Sequence, residues 1–153
     1  MEIIRRSTDY GLRALVYIAS TGRAEPVQAS EIASAEGLSE EYIQKILRAL
    51  DEAGIAAARR GPAGGFSLAR QPDEITLLQV MEALQGPVAI NKCLLGKDAC
   101  PNSDRCKVRS RWGGMQAQLV GFFNSITLAD LLEDSEEAAG LLHPVQTSGT
   151  KGE

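Results

Sequence analysis

The sequence predicts a mainly α-helical protein that contains one small β-hairpin. Apolar residues recur at helical spacing through most of the chain, and two short β-prone runs flank a glycine-rich turn at residues 61–65. The hairpin directly follows two helices that are joined by a short, glycine-containing turn. This order is typical of a winged helix-turn-helix, and a long C-terminal helix completes the predicted fold.

Composition and charge exclude several classes of protein. The chain has 153 residues, 44% of them hydrophobic, and no apolar run approaches the roughly 20 residues of a membrane span. The polar start, Met1–Arg6, lacks the apolar region of a signal peptide, so we expect a cytoplasmic protein with no membrane partner. The net charge is −4, but residues 1–70 balance nine basic against nine acidic residues. The acidic surplus therefore lies in the C-terminal tail and does not exclude DNA as a partner.

Three helices are predicted before the hairpin. The first extends from about Ser7 to Ser20, and the second from Ala29 to Ala35, where Gly37 ends it. The third begins after Ser39, a favourable N-cap, and ends at Gly54. The second and third helices form the helix-turn-helix.

The third helix carries the candidate DNA-reading residues. Tyr42, Gln44, Lys45 and Arg48 lie outside its apolar face. In a major groove, Gln pairs with adenine, Arg or Lys with guanine, and Tyr reaches phosphate. Any one of these residues is equally explained as part of a solvated helix face, but the set favours DNA binding because a basic hairpin follows it.

The hairpin is the predicted wing. Ile55–Arg60 and Phe66–Leu68 are its strands, and the stretch 55–70 contains three arginines but no acid. Arg59 and Arg60, beside Gly61, are suited to insertion into a narrow minor groove.

The second half of the chain combines helices with a polar loop. Thr127 and Asp130 form a capping pair before the last short helix. The predicted domains are a DNA-binding domain at residues 1–72, a loop and dimerisation helix at 73–132, and an acidic, disordered tail at 133–153. The predicted elements are a helix at Thr76–Leu84, a loop at residues 91–103, a long helix from about Ser103 to Asn124 and a short helix at Leu128–Leu132.

Three cysteines lie in or next to this loop, at positions 93, 100 and 106, in a C-x6-C-x5-C arrangement. Zinc sites use closer C-x2-4-C pairs, so the spacing fits zinc poorly. Three thiolates in a polar loop can hold an iron–sulfur cluster with a fourth ligand from elsewhere. Two alternatives stay open: a metal-free thiol switch, and three unrelated cysteines, although structural cysteines prefer apolar surroundings.

The sequence offers little for an enzyme. It has no phosphate-binding glycine loop that opens a helix, no nucleophile elbow and no cysteine–histidine pair outside the tail. We therefore expect no catalytic residues.

The sequence resembles the Rrf2 (Rrf-two) family of bacterial transcription regulators, which includes the IscR-type and NsrR-type iron–sulfur proteins. The resemblance covers about residues 1–132 and implies a homodimer that binds a pseudo-palindromic operator through residues 42–48 and the wing. It also implies that Cys93, Cys100 and Cys106 are cluster ligands. The segments that carry it are Thr8–Leu15, Arg60–Phe66, Ile126–Leu131 and the three cysteines.

The fourth cluster ligand departs from the IscR-type pattern. That type has a histidine three residues after the third cysteine, where this chain has Arg109, and the only histidine here is His143 in the tail. The NsrR type uses an N-terminal aspartate, reached across the dimer, and Asp9 matches it. Asp9 is equally explained as a helix-capping carboxylate. Without the histidine, the cluster is of the two-iron (2Fe-2S) or the four-iron (4Fe-4S) kind.

These observations predict a repressor whose operator binding is controlled by an iron–sulfur cluster that senses redox state, nitric oxide or iron–sulfur status. The alternative is a metal-free thiol-switch regulator with the same DNA-binding domain.

Overall fold

A computed structural model describes residues 3–133, which form six α-helices and one two-stranded antiparallel sheet. This architecture confirms the predicted, mainly α-helical winged helix-turn-helix. Short 3-10 helices lie at Pro72–Glu74, Lys92–Leu94 and Lys97–Ala99. In chain order the main elements are α1 (Arg6–Ser20), α2 (Ala29–Glu36), α3 (Glu40–Glu52), β1 (Ala56–Arg59), β2 (Gly65–Leu68), α4 (Leu77–Gln85), α5 (Lys107–Ser125) and α6 (Leu128–Glu133).

Local capping sets the turn between α2 and α3. Gly37 ends α2 in the left-handed region, at a φ of 67°, where a side chain would be strained. Ser39 then caps α3, since its hydroxyl accepts a hydrogen bond from the Tyr42 N–H at 3.3 Å. Both boundaries agree with the sequence prediction to within one or two residues.

The main hydrophobic core joins the helix-turn-helix to elements from the second half of the chain. Leu15, Ile32 and Leu47 lie in it with no exposed surface, and so does Val80 of α4. A smaller cluster consists of Met81, Val88 and Phe123. Helix α4 contributes to both clusters and packs against α1, α3 and α5. It therefore connects the long helix α5 to α3.

The long helix begins later than the sequence predicts, at Lys107 rather than near Ser103. Residues 101–105 form turns, in which the Ser103 hydroxyl donates to the Cys100 carbonyl. Cys106 therefore precedes α5 as its N-cap, and its Sγ accepts a hydrogen bond from the Arg109 N–H at 3.4 Å.

The final described helix matches its predicted cap. The Asp130 carboxylate accepts hydrogen bonds from the Thr127 N–H at 2.7 Å and from the Thr127 hydroxyl at 2.8 Å. These bonds, the backbone one first, hold the pKa of Asp130 below its ordinary value. Apart from Glu133, the tail predicted at 133–153 lies outside the described residues. Across residues 3–133, none of the helices is both long and apolar enough to span a membrane.

Candidate functional site

Helix α3 separates its structural residues from its candidate DNA-reading residues. Four apolar side chains are buried beneath it, and the residues predicted to read DNA lie on the remaining surface, where Lys45 and Arg48 are exposed and Tyr42 and Gln44 are half-buried. The buried side chains are Ile43, Ile46, Leu47 and Leu50.

An open groove of about 900 Å³ lies between the wing and α3. Gln44 and Arg48 line it from α3, and Arg59, Arg60 and Gly61 line it from the wing. Tyr42 and Lys45 lie on a neighbouring hollow that also contains Gln44 and Arg48. The structure thus brings the seven predicted DNA-binding residues onto one continuous surface.

Tight glycine geometry shapes the wing. A side chain on Gly65 would lie 2.4 Å from the Val27 carbonyl oxygen, and one on Gly64 would lie 2.3 Å from the Arg59 carbonyl oxygen. The Phe66 N–H donates to the Val27 carbonyl at 2.8 Å, so this close approach fastens the wing to the segment before α2. The glycines therefore serve the hairpin and its attachment, and Arg59 and Arg60 are left exposed on it.

A carboxylate of α3 also links that helix to the wing. The Asp51 Oδ1 accepts a hydrogen bond from the Ala58 N–H at 3.0 Å, so α3 and strand β1 are held together. Glu40 lies in the same groove, where its Oε1 accepts a hydrogen bond from the Gln44 amide at 2.8 Å. Sequence reasoning missed both carboxylates, although the i, i+4 spacing of Glu40 and Gln44 signals such a pair.

Arg70 does not belong to the basic surface of the wing. Its guanidinium donates to the carbonyls of Gly54 at 3.2 Å and Glu74 at 3.3 Å, and to the Gln79 side chain at 3.3 Å. Arg70 therefore connects the end of α3 to the start of α4.

The three cysteines lie within one segment, residues 91–106, which we call the cysteine loop. Cys93 lies on a short 3-10 helix, Cys100 follows another, and Cys106 caps α5. All three thiols are free and half-buried. In the conformation described for residues 3–133, no three His, Cys, Asp or Glu side chains form a group that could hold a metal ion. The donor chemistry fits an iron–sulfur cluster, but binding one requires the loop to draw its sulfurs together.

Two side chains of α5 bind this part of the chain: Gln116 holds the segment before the cysteine loop, and Arg109 holds the loop itself. The Gln116 amide donates to the Val88 carbonyl at 2.5 Å and accepts from the Ile90 N–H at 2.9 Å. The Arg109 guanidinium donates to the carbonyls of Cys93 at 3.1 Å and Gly96 at 3.4 Å. No local pattern in the sequence indicates these contacts, because they join residues 13 to 28 positions apart.

Asp9 lies exposed in the first turn of α1. The N-cap of this helix is Arg5, which makes no side-chain capping bond, so the interpretation of Asp9 as an N-cap is wrong. Gln85 supplies the missing acceptor instead: its Oε1 accepts from the Arg5 N–H at 2.9 Å and from the Thr8 hydroxyl at 2.8 Å. Asp9 is the fourth residue of α1, and its side chain is exposed.

Comparison with known proteins identifies the family. The sequence profile of Rrf2, described as an iron-dependent transcriptional regulator, matches residues 4–134. The chain belongs to the Rrf2 family. It is accordingly a DNA-binding transcriptional regulator and not an enzyme, as the sequence predicts.

The alignments of this Rrf2 regulator with its relatives cover most of its length. It is 34% identical to protein rrf2 of Nitratidesulfovibrio vulgaris over 135 residues, which cover 88% of this chain and 89% of that protein. It is 32% identical to the transcriptional regulator IscR of Aliivibrio salmonicida over 127 residues, which cover 83% of this chain and 75% of that protein.

Solved structures of other Rrf2-like proteins share the fold. IscR of T. potens superposes with a TM-score of 0.69 at 30% identity, over 88% of this chain and 89% of that one. CymR, the global cysteine regulator of B. subtilis, superposes with a TM-score of 0.69 at 27% identity, over 87% of this chain and 98% of that one. The fold is thus similar to that of both an IscR and a CymR.

Proposed function

We propose that this Rrf2 regulator is a cytoplasmic, homodimeric repressor whose affinity for a pseudo-palindromic operator depends on an iron–sulfur cluster. The observation that carries the proposal is the set of three free, half-buried thiols on one polar loop that is fastened to α5. IscR relatives at about 30% identity support the same cofactor.

DNA contact is assigned to the surface formed by α3 and the wing. Gln44, Lys45 and Arg48 enter the major groove, since a single exposed helix face fits there. Arg59 and Arg60 approach the minor groove beside Gly61, where the absence of a side chain lets the backbone come close. Tyr42 contacts phosphate from the edge of this surface.

Cluster ligation is assigned to Cys93, Cys100 and Cys106, with Asp9 of the other subunit as fourth ligand. The exposed, unbonded position of the Asp9 carboxylate at the start of α1 leaves it available to a partner chain. A bound cluster would supply a charge that changes with oxidation, nitric oxide or iron supply. The cluster is of the two-iron or the four-iron kind.

Helix α4 provides the physical route from loop to DNA. The small cluster of Met81, Val88 and Phe123 joins α4 to α5, and α4 also packs on α3. If the loop closed around a cluster, the contacts of Arg109 and Gln116 would transmit that change to α5. The separation of the two recognition helices in the dimer would then change, and the two cluster states would differ in operator affinity.

The variant Cys100→Ala tests this function. Duplexes are first selected from a random-sequence pool with anaerobically purified wild-type protein, and affinity for the tightest duplex is then measured. We expect the variant to lose its iron and sulfide and to change affinity at least about tenfold, which is within the usual range of allosteric coupling. Asp98→Asn, an exposed change in the same loop, is the matched control that keeps both properties. A variant that loses the cluster but binds the duplex as the wild type does would refute the proposal.

A metal-free thiol switch is the second candidate. The absence of a preformed three-ligand group among residues 3–133 favours it. In that case anaerobic wild-type protein contains no iron or sulfide, and its DNA affinity changes on treatment with peroxide in a way that Cys100→Ala abolishes.

A further inference from the structure

Arg109 contacts the cysteine loop at both of its ends. Its Nε donates to the Cys93 carbonyl at 3.1 Å, and its Nη2 donates to the Gly96 carbonyl at 3.4 Å. Its own backbone N–H donates to the Sγ of Cys106 at 3.4 Å. One half-buried residue in the first turn of α5 therefore touches the backbone of the first cysteine and the sulfur of the third.

The geometry of these bonds depends on the guanidinium. Two donors on one rigid plane bridge two carbonyls that lie three residues apart in the chain, and the single ammonium of a lysine does not reproduce this fork. Gln116 fastens residues 88–90, which precede the loop. Among residues 3–133, Arg109 is thus the α5 residue whose side chain holds the loop itself.

We propose that Arg109 is a positioning residue that keeps Cys93 close to the start of α5, and so to Cys106 at the N-cap of that helix, before any cluster assembles. This inference rests on the proposed function for its purpose, but the fork and the loop exist without a cluster. The guanidinium also holds a fixed positive charge against the backbone carbonyl of Cys93, within the loop that carries the three thiols, and this charge would offset part of the negative charge that three thiolates bring to a cluster. The residue therefore organises the loop and tunes the charge around it.

Hydrogen exchange of metal-free protein tests the positioning role. The amides of Leu94 and Leu95 donate to the carbonyls of Asn91 and Lys92 within the loop, so their protection reports its order. We expect exchange at these amides to become about tenfold faster in both Arg109→Gln and Arg109→Lys, because neither side chain bridges two carbonyls. Arg111→Gln, an exposed change on the same helix, is the matched control and exchanges as the wild type does. Unchanged exchange in Arg109→Gln would overturn the inference, and Arg109→Lys decides it if the Gln variant does not fold.

The midpoint potential of reconstituted protein tests the charge role of Arg109 separately from its positioning role. We expect Arg109→Gln to shift the potential to more negative values, since the lost cation no longer stabilises the more negative, reduced state, and Arg109→Lys to stay near the wild type. The same potential in Arg109→Gln and the wild type would contradict the charge role. If the wild-type protein takes up no cluster, the proposed function fails, and the exchange measurement alone decides the positioning role.

Discussion

The arginines of this protein have distinct tasks that depend on what their guanidinium groups meet. Arg59 and Arg60 are exposed on the wing and line the groove beside α3. Arg70, only ten positions after Arg60, donates to two backbone carbonyls and one side chain and so connects α3 to α4. Arg109 does the same for the cysteine loop. Two of these arginines therefore belong to the scaffold and two to the surface.

Replacing Arg60 by Gln tests the assignment of the wing to DNA. We expect a loss of about tenfold in affinity for the selected duplex and a decrease of about 2 in the salt slope, because the homodimer loses one positive charge at the DNA backbone from each of its two wings. The measurement is fluorescence anisotropy at several salt concentrations. Arg111→Gln removes the same charge outside the groove and should leave both values unchanged. Equal losses in the two variants would show that net charge, and not the wing, determines binding.

Residues that act through their immediate neighbours in the chain could be predicted from the sequence. Ser39 and the Thr127–Asp130 pair were predicted because a cap needs only three or four successive residues. Gln85 could not be predicted as the acceptor at the start of α1, since 77 positions separate it from Thr8. The interpretation of Asp9 as a cap is wrong because α1 already begins at Arg6, so Asp9 falls inside its first turn.

At the scale of elements, α5 has an apolar stripe that stays more than half exposed among residues 3–133. Val108 is 56% exposed, Met115 52% and Phe122 59%, and all three lie on one stripe of the helix. The three residues are spaced seven positions apart, which places them on one side of a helix. Its covering by a second copy stays a proposal that a charge placed on the stripe can test.

Met115→Glu should dissociate the proposed dimer. A carboxylate buried without a partner between two α5 helices costs several kcal/mol, so we expect the dimer dissociation constant to increase at least about a hundredfold. Analytical ultracentrifugation over a range of concentrations measures it. Ala117→Glu adds the same charge at an exposed position on the opposite face of α5 and is the control. If the dimer persists in Met115→Glu and dissociates in Ala117→Glu, the interface lies on the face of α5 opposite Met115, and the proposed interface is wrong.

The first residue of α5 could not be predicted from apolar periodicity. A prediction from apolar spacing began the helix near Ser103, but residues 101–105 form turns and Cys106 caps the helix with its sulfur. Cysteine is not a preferred N-cap, so the sequence offers no cap signal there. The consequence is functional, since the third cysteine belongs to the loop and not to the rigid helix.

For the whole molecule, the two functional regions share one helical scaffold. Helix α4 packs on α1 and α3 in the main core and on α5 in the smaller cluster. Arg70 and Gln85 add polar links from α3 and α1 to the same part of the fold. These long-range contacts were not accessible to sequence reasoning, although the order of the elements was. A continuous packed path therefore leads from α5, which holds the cysteine loop, through α4 to α3.

We propose above all that the cysteine loop holds an iron–sulfur cluster. The most direct measurement is the visible absorption spectrum of anaerobically purified wild-type protein, with iron and sulfide assays on the same sample. We expect a brown protein with charge-transfer bands and equal amounts of iron and sulfide, in which two or four irons per chain identify the cluster. A colourless protein that contains neither iron nor sulfide, even after reconstitution, would contradict the claim and favour the thiol switch.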